Sequence, residues 1–195
     1  GKTNLLERYI KDEFHDSNRN TVGVDFLAKK LVLNRQSLKI QFWDTAGQEK
    51  YKSISTAYYK STQGVILVYD VTSRNSFLNV EKWLQDIKEH TDIEIVFLLV
   101  GNKTDLEAAR EVTAEEAEAY AKEQALFFME VSAKVNQAQC VNRAFETLFQ
   151  EILKRMMERD EGFMKETVQS EMTKKRVDKN ILIQNSELGQ RPDQG

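Results

Sequence analysis

Residues 95–106 read IVFLLVGNKTDL. The first six are apolar without alternation, which suits a parallel strand covered on both faces rather than one with a wet side. The run then breaks into a glycine and a polar loop carrying Asn102, Lys103 and Asp105. A second run of the same kind, GVILVYD at 64–70, also ends in polar residues. Between them, SFLNVEKWLQDIKEH (76–90) sets Phe77, Val80, Trp83, Leu84 and Ile87 at helical spacing, with Ser76 as the cap. Strand, helix and strand in that order define an α/β unit with a parallel sheet.

Working outward extends the pattern. TAEEAEAYAKEQ (113–124) reads as a helix capped by Thr113, with Glu116 completing a capping box. LFFMEVSA (126–133) reads as a further strand. From Val141 to Met157 a helix places Val141, Ala144, Phe145, Leu148, Phe149, Ile152 and Met156 on one face. Upstream, DFLAKKLVL (25–33) and SLKIQFWD (37–44) flank Asn34-Arg35-Gln36 as a hairpin. The expected fold is α/β: a mostly parallel sheet with one antiparallel edge strand and helices on both faces. Residues 1–157 form the expected domain, and 158–195 a polar, flexible tail. Within that tail, KKR (174–176) reads as a solvated cluster. Ile181-Leu182-Ile183 either docks back on the domain or does nothing.

Bulk properties narrow the function classes. A chain of 195 residues suits one domain plus a tail, and a net charge of −3 gives no general attraction to nucleic acid. One cysteine, Cys140, excludes an internal disulfide and suits a reducing compartment. No apolar run approaches the roughly 20 residues of a membrane-spanning helix. A cytoplasmic monomer is expected.

In such folds ligands bind where strands end and loops begin, and four loops carry suggestive residues. Gly1-Lys2-Thr3 matches the close of a phosphate-binding loop, G-x-x-x-x-G-K-[ST], although three residues alone say little. In WDTAGQE (43–49), Asp44 closes a strand and could hold magnesium through water, leaving the Gly47 N–H for a terminal phosphate. A tight turn is the alternative. In GNKTDL (101–106), Asp105 could accept both N–H groups of a guanine edge, with Asn102 and Lys103 bracing the loop. An Asx-type turn with a solvated lysine is equally open. In EVSAK (130–134), the Ala133 N–H could reach the guanine oxygen, supported by Ser132 and Lys134. None is strong alone, but all four in this order and context are.

With these motifs the chain resembles the small Ras-like GTPases, a P-loop NTPase fold, and more closely their Rab branch. TVGVDF (21–26), KIQFWDTAGQEKYKSI (39–54), TAYYKSTQG (56–64) and LVYDVTSRNSF (67–77) look like Rab signatures. The resemblance covers Gly1 to about Met157. It implies a switch that binds GTP and GDP with Mg²⁺ and hydrolyses GTP slowly without an activating protein. Lys2 would neutralise phosphate oxygens, while Thr3, Thr21 and Asp44 would serve the metal. Phe14 would lie against the guanine, and Gln48 would orient the attacking water. Phe26, Trp43 and Tyr58 would form an aromatic trio that effectors read. Implied partners are effectors, an exchange factor and an activating protein in vesicle traffic, on the cytosolic face of endomembranes when lipidated.

Two departures from the family shape further expectations. Family members begin with a strand central to the sheet and the glycine-rich loop after it, whereas here only Gly1, Lys2 and Thr3 stand for them. Two strands are therefore expected to lack the partner between them, and these residues to bind nucleotide poorly. The final residues, GQRPDQG, offer no cysteine for prenylation. The competing readings are a nucleotide-defective binding module that keeps the effector surface, and an ATPase of the wider P-loop class.

Overall fold

The alternation absent from GVILVYD in polarity is present in its packing. Val65, Leu67 and Tyr69 join one buried cluster, and Ile66 and Val68 join the other. A strand with both faces in a core has no polar face to show, as a two-residue repeat between two helical layers requires. The computed structural model describes residues 1–16, 24–33, 36–45, 59, 61–91, 94–135, 138–166 and 178–185. In chain order these give α1 (Lys2–Lys11), β1 (Val24–Leu33), β2 (Gln36–Thr45), β3 (Gly64–Asp70) and α2 (Arg74–Glu89). There follow β4 (Val96–Asn102), a 3-10 segment (Thr104–Ala109), α3 (Ala114–Glu123), β5 (Phe127–Glu130), α4 (Ala138–Glu166) and β6 (Asp178–Asn185).

The sheet runs β1-β2-β6-β3-β4-β5. Among the described residues only the β1–β2 hairpin is antiparallel, with Phe26 opposite Trp43, and the other pairings are parallel. On one face α1 and α4 cover the sheet. Tyr9 of α1 stacks on Phe145 of α4 at 4.1 Å between ring centroids, and Phe42 and Phe149 close around them edge-on or tilted. On the other face α2 and α3 bury Phe77, Val80, Trp83, Leu84, Ala117 and Ala121. Gly64 is small for a local reason: a Cβ there would come within 2.5 Å of the Ile152 side chain.

The structure differs from the sequence reading in several places. The slot expected to be vacant between β2 and β3 holds β6, drawn from the polar tail, and Ile181 is fully buried there. Unpaired edges of two core strands are costly, and the Ile-Leu-Ile segment meets both. Helix α4 continues past Met157 to Glu166. Helix α2 starts earlier than expected, with Ser73 rather than Ser76 as its cap. The chain turns at once after Asp70, Ser73 N–H donating to the Asp70 carbonyl at 2.9 Å, so the helix begins sooner. Ser76 instead donates its hydroxyl to the Ser73 carbonyl at 2.8 Å and accepts from the Asp70 N–H at 2.9 Å. Thr113 does cap α3, accepting from Glu116 N–H, but the Glu116 carboxylate pairs with Arg74. Strand β5 stops at Glu130 rather than 133, because Ser132 and Ala133 turn to side chains of the neighbouring loop.

Candidate functional site

Strands β2, β3, β4 and β5 all point the same way, so their C-terminal ends share one edge. That edge carries Asp44, Asp70, Asn102 and the loop 132–134, and α1 begins beside it. A Cβ on Gly1 would lie 3.6 Å from Asn102 Nδ2, which brings the helix start up to the loop after β4.

Asn102 is the centre of one half of the site. Its side chain is buried, and its Oδ1 accepts from Lys103 N–H at 2.8 Å and Ala133 N–H at 3.1 Å, tying two loops together. Lys103 sits in the left-handed region, φ 72°, a conformation that costs a non-glycine residue energy and is held here by its surroundings. Its Nζ pairs with Asp70 Oδ2 at 2.5 Å. Ser132 Oγ donates to Asp105 Oδ1 at 2.5 Å and accepts from Lys134 N–H at 3.2 Å and Val135 N–H at 3.0 Å. Arg8 Nε donates to the Ala133 carbonyl at 3.0 Å, so α1 also braces this loop. Lys134 reaches Asp16 at 3.5 Å on the surface.

The expected phosphate half lies at the start of α1. Thr3 Oγ1 donates to Asp44 Oδ2 at 2.6 Å, and Lys2 and Asp44 are both buried. Burial pushes the Asp44 carboxyl up, against the opposing pull of Lys2 and the Thr3 hydroxyl. A buried carboxylate whose charge is disfavoured, beside a hydroxyl and a helix N-terminus, suits a small hard cation and an anion together. No group of three His, Cys, Asp or Glu side chains able to hold a metal occurs among the described residues. Thr3 and Asp44 offer oxygen donors alone, the chemistry Mg²⁺ takes beside waters and substrate phosphates.

The structure therefore brings Gly1, Lys2, Thr3, Asp44, Asn102, Lys103, Asp105, Ser132, Ala133 and Lys134 to one sheet edge. Ala133 N–H, expected to face a base, donates to Asn102 here. Phe14 is half-buried and packs against the α1–α4 core. Thr21, Gly47, Gln48 and Tyr58 lie outside the described residues. Phe26 and Trp43 form a tilted pair, centroids 4.8 Å apart, on the outer hairpin; Phe26 is 44% exposed and Trp43 half-buried against the α2–α3 cluster. Sequence reasoning missed Asp70 and Arg8. Asp70 had a usable signal, since an acid closing a buried strand needs a reason to be there. Arg8 had none, because its partner is a main-chain carbonyl 125 positions away.

The chain is similar to known proteins over most of its length. The Ras family model matches residues 1–154. The chain is 47% identical over 154 residues to GTP-binding protein ypt3 of Schizosaccharomyces pombe, spanning 79% of this chain and 71% of that protein. It is 44% identical over 152 residues to Ras-related protein RABA5a of Arabidopsis thaliana, spanning 78% and 68%. To Ras-related protein RGP2 of Oryza sativa subsp. japonica it is 43% identical over 152 residues, spanning 78% and 69%. With its motifs gathered on one sheet edge and the family match running from Gly1 through most of α4, the chain belongs to the Ras family and, within it, to the Rab-like small GTPases.

Proposed function

We propose that the sheet edge binds guanine nucleotide, with Asp105 reading the base and Lys2 and Thr3 meeting the phosphates. The observation that carries this reading is Asn102, whose single oxygen joins the loop holding Asp105 to the loop holding Ser132 and Ala133. A carboxylate held beside a base can accept two donors from guanine, whereas adenine presents an acceptor where guanine has a donor. Gly1, Asn102, Lys103, Ser132, Ala133 and Lys134 shape and brace the pocket, and Phe14 flanks the base.

Thr3, Thr21 and Asp44 would hold Mg²⁺, which supplies charge neutralisation on the phosphates. The Gly47 N–H meets the terminal phosphate, and Gln48 orients the attacking water. Phosphoryl transfer of this kind needs positioning and charge stabilisation more than covalent chemistry. GTP and GDP states then differ at the surface bearing Phe26, Trp43 and Tyr58, where effectors bind. An exchange factor and an activating protein set the balance between states, in membrane traffic at the cytosolic face of endomembranes. Residues 1–157 are the nucleotide-binding domain.

Competition for a fluorescent GTP analogue tests the assignment. GTP and GDP should displace it and ATP should not; equal displacement by ATP would remove the role given to Asp105.

A further inference from the structure

Arg110 joins the two loops of the base half from behind. It directly follows the 3-10 segment Thr104–Ala109, which carries Asp105. Its Nε donates to both carboxylate oxygens of Glu107, at 2.8 and 2.9 Å. Its Nη1 donates to Glu130 Oε1 at 2.7 Å and to the Val112 carbonyl at 3.0 Å, and its Nη2 to Glu130 Oε2 at 3.0 Å. Glu130 ends β5 and leads through Val131 into Ser132 and Ala133. A planar guanidinium gripping two carboxylates fixes angle as well as distance, which the point charge of a lysine does not. The Arg110 and Glu130 side chains are only 15% and 19% exposed, so water screens this pair less than an ion pair on the open surface. Gly101 makes room for it: Glu130 stands opposite Gly101 in the sheet, and a Cβ there would lie 3.3 Å from Glu130 Cγ.

On the ligand side the same two loops already meet, where Ser132 Oγ holds Asp105 and Asn102 holds the Ala133 N–H. Arg110 closes the ring: Asp105, Glu107, Arg110, Glu130, Ser132 and back to Asp105. Two loops tied at one point still hinge about it, whereas two loops tied front and back keep one angle. We propose that Arg110 is a positioning residue for base selection, clamping Glu107 to Glu130 so that the Asp105 carboxylate faces the base with both oxygens. Guanine offers that carboxylate a ring N–H and an exocyclic amine, and hypoxanthine offers the ring N–H alone. Preference for GDP over inosine diphosphate (IDP) therefore reports the second contact, the one that a tilted carboxylate loses first. The proposal rests on the nucleotide reading above and names what enforces its base selectivity.

Competition of GDP and of IDP for a fluorescent GDP analogue, on the intact protein and its variants, tests this. The wild type should prefer GDP by at least about tenfold, since an unmet buried acceptor penalises the poorer ligand. Arg110→Gln and Glu130→Gln should each weaken GDP by about tenfold and IDP by less than about threefold, and the double variant should lose no more than either alone. Tyr69→Phe removes a buried hydroxyl that sits by the same glycine without a hydrogen-bond partner among the described residues, and it should keep the preference. Equal weakening of both nucleotides by Arg110→Gln and Glu130→Gln, or an intact preference in both, would overturn the proposal, as would its collapse in Tyr69→Phe. Hydrogen exchange without nucleotide reads the clamp itself: Arg110→Gln should speed the amides of 104–106 and 132–134 and leave those of 65–68 unchanged. Loops that exchange as in the wild type would overturn the clamp. A wild type that binds neither nucleotide, or binds both equally, while Arg110→Gln still loosens the loops, would instead overturn the base reading and the selection role with it.

Discussion

Asp70 shows how one residue can carry a loop. Burial would push its carboxyl up, but Lys103 and Thr72 outweigh this and hold it below the ordinary carboxylate value. A carboxyl with a lowered folded pKa adds stability that is complete above its unfolded pKa and disappears as pH falls through the folded one. The stability gap between wild type and Asp70→Asn should therefore be full near neutrality and shrink below about pH 4. Urea unfolding across that range measures it; a gap independent of pH would deny the ion pair its role. Asp105→Ala should cost guanine-nucleotide affinity about a hundredfold or more, since charge-assisted bonds are worth about 1.5–3 kcal/mol each. Titration with a fluorescent GDP analogue reads the loss directly, and a change under threefold would move base recognition elsewhere. Gly101→Ala belongs at this scale too, because its new Cβ would sit 2.7 Å from the Tyr69 hydroxyl and 3.3 Å from Glu130 Cγ. Overpacking of this kind costs about 1–3 kcal/mol, and thermal denaturation should show the drop.

At the scale of elements, the two helical layers divide the labour. Phe145→Ala would remove the stacked partner of Tyr9 from the α1–α4 layer, at a cost of about 3–5 kcal/mol, and should loosen the start of α1 with it. On the hairpin, Trp43→Ala should weaken effector binding far more than nucleotide binding, as pull-down and nucleotide titration compared side by side would show. Equal losses would make Trp43 a packing residue. These elements were legible to different degrees. The β3 and β4 strands announced themselves by unbroken apolar runs, and α4 by its repeat from Val141 onward. The start of α2 did not, because Ser73 and Ser76 are both good caps and the choice depends on how tightly the chain turns at Asp70. The end of β5 depended on competition for Ala133 N–H, which Asn102 wins from across the loop. Of the site, the motif residues could be read from spacing, but the Lys103–Asp70 and Arg8–Ala133 contacts could not. They join segments that nothing in the chain marks as neighbours.

For the whole molecule, rate and cooperativity are the questions. Among the described residues at the site edge, Arg8 is turned to the Ala133 carbonyl in the base half rather than to the phosphate end. Unaided hydrolysis should accordingly be slow, and an activating protein should speed it about 10³–10⁵-fold. Single-turnover GTP hydrolysis measures both, and a turnover of several per second without a partner would contradict the expectation. Strand β3 also bears on how the molecule comes apart. Its residues alternate between the two buried clusters, so neither helical layer can be stripped from the sheet without baring one face of the same strand. Losing either layer exposes apolar surface on that strand, and the two layers should therefore melt as one cooperative unit.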